Sequence, residues 1–241
     1  MRKILCIFLL LMVLTGCVAK PQESTSQETV ALPETTTASI PTEETEILTE
    51  PQPEMEYPDP QDMVFVAVTD YIPDIQTELK YSGTDNFTGQ VIYSFSTVYL
   101  RYGTVEKLTA VQNDLRQLGL GLKIWDGFRP VAAQHKLWEV CPDSRYVANP
   151  KTGFSSHSRG NTVDVTLVDA EGKELVMPTG FDDFSAKADR DYGDCSKEAA
   201  DNALLLETLM EKHGFAGYKA EWWHYSDTET YPVEELFQPT T

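Results

Sequence analysis

Two short segments restrict this chain more than any other feature: Ser155-Ser156-His157-Ser158-Arg159-Gly160-Asn161-Thr162-Val163-Asp164 and Glu221-Trp222-Trp223-His224. Together they supply two imidazoles, one carboxylate ligand and one spare carboxylate. A catalytic zinc centre needs three protein ligands, an open fourth position and a nearby general base. A fold that uses these residues must therefore bring distant parts of the chain to one point. The mixed nitrogen and oxygen set favours Zn2+, a small, redox-inert ion, whereas an oxygen-only set would favour calcium or magnesium. His157 alone, among serines, reads as a loop or core histidine; the second segment is what makes it a candidate ligand.

Local patterning suggests how such ligands are held. Asn161 to Leu167 alternates, with Val163, Val165 and Leu167 on one face and Thr162, Asp164 and Thr166 on the other. This predicts a strand with one apolar face in a core, from which Asp164 projects. Gly160 lets the chain fold back so that His157 approaches Asp164. The aromatic-rich stretch Tyr218 to Tyr225, after Gly214 and Gly217, also predicts a strand. Strict alternation there would send Glu221 and His224 to opposite sides, so a shared site requires a bulge or bend. Trp222 and Trp223 read as core or pocket wall. Leu120, Leu122 and Ile124 alternate into Trp125-Asp126-Gly127-Phe128-Arg129-Pro130, a strand end followed by a turn that can present a functional side chain. Arg129 is a permanent cation suited to an oxyanion or carboxylate, although by itself it reads as the partner of Asp126 in a surface salt bridge.

The helical stripes are ordinary core faces. Thr104 to Gly119 carries Val105, Leu108, Val111, Leu115 and Leu118, with Thr104 as N-cap. Ser196 to Gly214 repeats the pattern with Ala199, Ala203, Leu206, Met210 and His213. His213 in a last turn and His135 on a helix opened by Pro130 need no catalytic role. About 180 residues without internal repeats make one domain, assigned to 61–241.

Ahead of it, Met1 to Gly16 has Arg2, Lys3 and an apolar run from Ile4 to Leu14, a signal-peptide layout too short to span a bilayer. Leu14-Thr15-Gly16-Cys17 resembles a bacterial lipoprotein cleavage box with Cys17 as the lipidated residue. Residues 17–60 are rich in Pro, Thr, Ser and Glu and predict a solvated, disordered linker that carries much of the net charge of -19. Such acidity disfavours nucleic acid and anionic surfaces. Membrane attachment therefore falls to lipid on Cys17, with the protein facing outward; no protein partner is implied. After Cys6 and Cys17, Cys141 and Cys195 remain, and both a disulfide and two free thiols are open.

The segments Trp125-Asp126-Gly127-Phe128-Arg129-Pro130, Ser155 to Gly160 with Asp164, and Glu221-Trp222-Trp223-His224-Tyr225 together resemble the D-alanyl-D-alanine dipeptidases of the vancomycin-resistance (VanX) type, in the zinc D,D-peptidase family M15. Asp85-Asn86-Phe87-Thr88-Gly89 resembles an upstream segment of the same family, and the likeness runs from about residue 63 to about residue 232. The ligand pattern alone is shared with other zinc D,D-peptidases and Hedgehog-like domains. The resemblance implies an α+β fold, a mainly antiparallel sheet with packed helices. It implies His157, Asp164 and His224 as Zn2+ ligands, Glu221 as general base and Arg129 as stabiliser of the tetrahedral intermediate. Tyr81, Ser155 and Asp182 match residues that contact the dipeptide, whereas Ala188-Asp189 departs from a Ser-His pair common in relatives. The expected activity is hydrolysis of D-alanyl-D-alanine to D-alanine outside the membrane, in cell-wall peptide turnover or scavenging. The alternatives are a D,D-carboxypeptidase on wall stem peptides and a catalytically silent zinc or wall-binding module.

Overall fold

The computed structural model describes residues 59–240. The signal segment, Cys17 and nearly all of the acidic linker lie outside the described residues. Alternating and helical stripes become β1 (Phe65–Ala67), α1 (Val68–Tyr71), β2 (Gln76–Thr77), β3 (Tyr99–Arg101), α2 (Tyr102–Gln117), β4 (Gly121–Asp126), α3 (Val131–Val140), β5 (Thr162–Val168), α4 (Lys197–Lys212), β6 (Phe215–Gly217) and β7 (His224–Asp227). The principal sheet has the order β2-β4-β5-β7-β6. Only β2 and β4 run parallel in it, and β1 pairs with β3 in a separate antiparallel ribbon. The fold is therefore α+β with a mainly antiparallel sheet.

The central strand β5 differs from the expected half-buried strand, because all seven of its residues are buried. Strands on either side and cover on both faces enclose it, so its polar residues need internal partners. Thr162 Oγ1 finds Ser226 Oγ at 2.9 Å, and Asp164 meets imidazoles. A register shift between Ile124 and Asp126 brings Asp126 directly opposite Asp164 across the β4–β5 ladder.

Helix α2 begins at Tyr102, ahead of the expected cap, and Arg101 occupies the N-cap without a side-chain bond. Thr104 instead donates from Oγ1 to Asp227 Oδ2 at 2.9 Å, tying α2 to β7. Val105, Leu108, Val111 and Leu115 are fully buried, whereas Leu118 lies past the helix end and is exposed. In α4 the expected cap holds: Ser196 Oγ accepts from the Ala199 N–H at 3.1 Å, and Ala199, Ala203, Leu206 and Met210 face the core. His213 follows the last turn and its Nε2 lies 2.7 Å from Asp114 Oδ2. Cys141 and Cys195 are both free thiols. Among the described residues, no helix is long and apolar enough to cross a membrane.

Candidate metal centre

His157 sits on a single 3-10 turn, Ser156–Arg159, that leaves through Gly160 at φ 76°. Glycine is needed here twice over: the backbone is left-handed, and a Cβ would lie 2.4 Å from Phe65 Cε1. The close passage places His157 Nδ1 2.9 Å from the Gly127 carbonyl. Its N–H donates there, so in the neutral ring the lone pair of Nε2 faces the cavity. Asp164 and His224 are direct cross-strand partners on β5 and β7. His157 Nε2 is 3.4 Å from Asp164 Oδ2 and 3.3 Å from His224 Nδ1, which is 3.0 Å from Asp164 Oδ1.

One ligand atom from each of the three residues lies within 4.8 Å of the others. With a neutral His157, its Nε2 and both Asp164 oxygens are acceptors, and the cluster then has more lone pairs than protons to share. Such a donor set fits a divalent cation. Ser156 Oγ stands 3.3 Å from His224 Nε2, a partner for the far side of that ring. Burial raises the Asp164 carboxyl, but His157 and His224 outweigh it and hold the group below the usual carboxylate range.

The expected strand from Tyr218 to Tyr225 is instead a hairpin turn followed by the start of β7. Gly217 and Tyr225 form the last pair of the β6–β7 ladder, after which the chain leaves the sheet. Glu221 N–H donates to the Tyr218 carbonyl at 3.1 Å, and His224 N–H to the Glu221 carbonyl at 3.4 Å. This turn supplies the bend that a shared site requires, with Glu221 Oε2 3.7 Å from His224 Nδ1. The aromatic signal came from burial: Trp222 and Trp223 are both inside, and Trp222 Nε1 donates to Thr179 Oγ1 at 2.9 Å. Burial pushes Glu221 up to about 6, with His224 opposing and Asp164 adding to the rise. Ala188, in the position of the sequence departure, is fully buried, and its carbonyl accepts the Trp222 N–H at 2.9 Å.

Arg129 does pair with Asp126, at 2.7 Å, but internally and not at the surface. Its guanidinium also donates to Tyr93 OH at 3.2 Å and Gln134 Oε1 at 3.0 Å, and lies 5.1 Å over the Tyr81 ring. Tyr93 OH in turn donates to Asp126 Oδ1 at 2.8 Å. Sequence reasoning missed Tyr93 and Gln134. Gln134 carried a faint signal, since it begins the second turn of the helix that follows Arg129, but nothing local marks Tyr93.

Asp182 has a left-handed backbone, φ 57°, which Asp tolerates better than most residues. Its carboxyl accepts from Tyr81 OH at 3.1 Å and from the Phe87 N–H at 3.4 Å. Burial pushes it up to about 8 and Asp164 adds to that, against the pull of Phe87, Tyr81 and Arg129. Tyr81, Arg129, Ser155, His157, Asp164, Asp182, Glu221 and His224 all line one cavity of about 300 Å³. Tyr146, Phe154, Phe184 and Trp223 add aromatic surface to its walls.

Chemically, the cavity combines a cation-binding cluster with a carboxyl poised to exchange protons near neutral pH and a fixed positive charge. That is the equipment of a metal-assisted peptidase, and comparison with known proteins puts the chain in this class. The family model described as D-ala-D-ala dipeptidase matches residues 61–238. The chain belongs to that family, peptidase M15, a family of hydrolases. The D-alanyl-D-alanine dipeptidase of Escherichia coli (strain K12) is 37% identical over 177 residues, covering 73% of this chain and 90% of that protein. The enzyme of the same name from Enterococcus faecalis (strain ATCC 700802 / V583) is 31% identical over 189 residues, covering 70% and 94%. A solved structure, VanYB in complex with D-alanine-D-alanine, overlaps at a TM-score of 0.37 with 16% identity, over 56% of this chain and 75% of that one.

Proposed function

We propose that this chain is a zinc-dependent D-alanyl-D-alanine dipeptidase, anchored by lipid on Cys17 and acting outside the membrane in wall peptide turnover or scavenging. The observation that carries the reading is the cavity itself: a His-Asp-His cluster, Glu221 and Arg129 share about 300 Å³ with an under-compensated acid, Asp182. His157, Asp164 and His224 would hold Zn2+, which when bound supplies Lewis acidity to the scissile carbonyl and makes water more acidic.

Glu221, as a carboxylate, takes a proton from the attacking water, whose oxygen bonds to the scissile carbonyl carbon. It later delivers that proton to the leaving nitrogen as the C–N bond breaks. Arg129, held by Asp126, Tyr93 and Gln134, presents a cation to the oxyanion without having to reorganise. Asp182 is the counter-ion for the substrate ammonium. A buried carboxyl pushed up to about 8 is one that lacks a cation, and a free N-terminus supplies it. Tyr81 donates to that carboxyl, and Ser155 offers a hydroxyl at the same wall.

The test is an assay of released D-alanine from free D-alanyl-D-alanine, its N-acetyl form and a wall pentapeptide. The free dipeptide should be cleaved several orders of magnitude faster, because a site built around a polar partner rejects an analogue that lacks it by about 10⁴- to 10⁵-fold. Asp182→Ala should narrow that difference by slowing the free dipeptide alone. Equal rates on the pentapeptide would replace this reading with a D,D-carboxypeptidase, and no turnover of any substrate would leave a binding module. Location is tested separately: Cys17→Ser should move the protein out of the membrane fraction, since the acidic linker is too polar to hold a membrane and the apolar run Ile4 to Leu14 too short to span one. An unchanged membrane fraction would contradict lipid anchoring.

A further inference from the structure

We propose that Arg190 is a positioning residue, a clamp that sets the turn bearing Glu221 and His224. This rests on the reading of those two residues as base and metal ligand. The turn from Tyr218 to Trp223 leaves the sheet with few bonds of its own: the Tyr218 carbonyl accepts the Glu221 N–H, the Glu221 carbonyl the His224 N–H, and the His224 carbonyl the Tyr218 N–H. Arg190 comes from the segment between Ala188 and α4, gives the Trp222 carbonyl its donor and adds a second donor to the carbonyls of Tyr218 and His224. Its Nε donates to the Tyr218 carbonyl at 2.9 Å, and one Nη2 reaches the Trp222 carbonyl at 3.1 Å and the His224 carbonyl at 3.0 Å. These acceptors bracket Glu221 on both sides in sequence.

The other end of the fork is also fixed. Nη1 donates to Tyr225 OH at 3.0 Å and lies 3.4 Å from Glu207 Oε2 on α4, while the guanidinium stacks 4.3 Å over the Tyr225 ring. The side chain is only 10% exposed, so it is an internal cation. A planar guanidinium with five donors can serve three carbonyls and a phenol together, whereas an ammonium with its donors on one atom cannot. Gly217 completes the arrangement, because a Cβ there would lie 2.4 Å from Arg190 Cζ.

Two variants disturb the clamp in different ways. Arg190→Lys keeps the charge and removes the fork; Gly217→Ala keeps the arginine and displaces it. Titration of the metal-free protein with Zn2+ against a chromogenic chelator should show about 10- to 100-fold weaker binding in both, the loss typical of groups that orient a metal ligand. With D-alanyl-D-alanine, kcat should fall about 10- to 100-fold while KM stays within about threefold, because Asp182, Tyr81 and Ser155 stand on other segments. Added methylguanidinium should restore part of the kcat of Arg190→Ala. Either folded variant with wild-type zinc affinity and kcat, changed only in its denaturation midpoint, would overturn the proposal. If the wild type fails to cleave the dipeptide, the functional reading falls while the zinc titration still decides the role of Arg190.

Discussion

Glu221→Gln should lower kcat on D-alanyl-D-alanine by about 10²- to 10⁴-fold, the range contributed by a positioned general base. The change preserves size and hydrogen bonding while removing basicity, so zinc should remain stoichiometric. The pH dependence gives an independent sign. Burial raises Glu221 to about 6, and only its carboxylate accepts a proton, so activity should fall as pH drops below about 6. A cation in the adjacent cluster favours the carboxylate and moves that limb downward, never upward. In the glutamine variant the limb attributed to this group should vanish. Near-normal turnover with the metal bound would remove Glu221 from the mechanism.

His224→Ala should abolish stoichiometric zinc and lower activity by more than about 100-fold, because a catalytic site with three protein ligands has none to spare. The expected loss exceeds that of the Arg190 variants, since orienting groups cost 10- to 100-fold in metal affinity. The substitution also strips Asp164 of an imidazole 3.0 Å away, which leaves a buried carboxylate with one fewer compensating partner. Metal analysis of the purified variant beside its kcat checks both statements. Full occupancy in His224→Ala would show that the ligand set is wrong.

How far this structure could be read in advance depended on whether the determining contacts were local. The strand bearing Asp164 and the helix capped by Ser196 were legible because period and cap are encoded within a few residues. Thr104 misled for the opposite reason: a threonine before an apolar stripe looks like a cap, but its hydroxyl serves Asp227, far away in sequence. Aromatic richness from Tyr218 to Tyr225 mimicked strand propensity because both reflect burial, here that of Trp222 and Trp223 off the ladder. The residues that line the cavity could be nominated from their likeness to a family. The supports of Arg129 could not, since Tyr93 reaches it only through the tertiary fold.

The turn between β4 and α3 makes one rigid gauge of two functions. Gly127 contributes the carbonyl that orients His157, and two residues later the Arg129 N–H donates back to the His157 carbonyl at 3.2 Å. The spacing between the imidazole and the Arg129 main chain is therefore set over three consecutive residues, and Asp126, Tyr93 and Gln134 then fix the guanidinium on that base. An insertion or deletion within this turn would detune charge stabilisation and ligand orientation in the same stroke. Kinetic and metal-binding phenotypes there should be inseparable, whereas on the Glu221 side a single side-chain exchange can divide them.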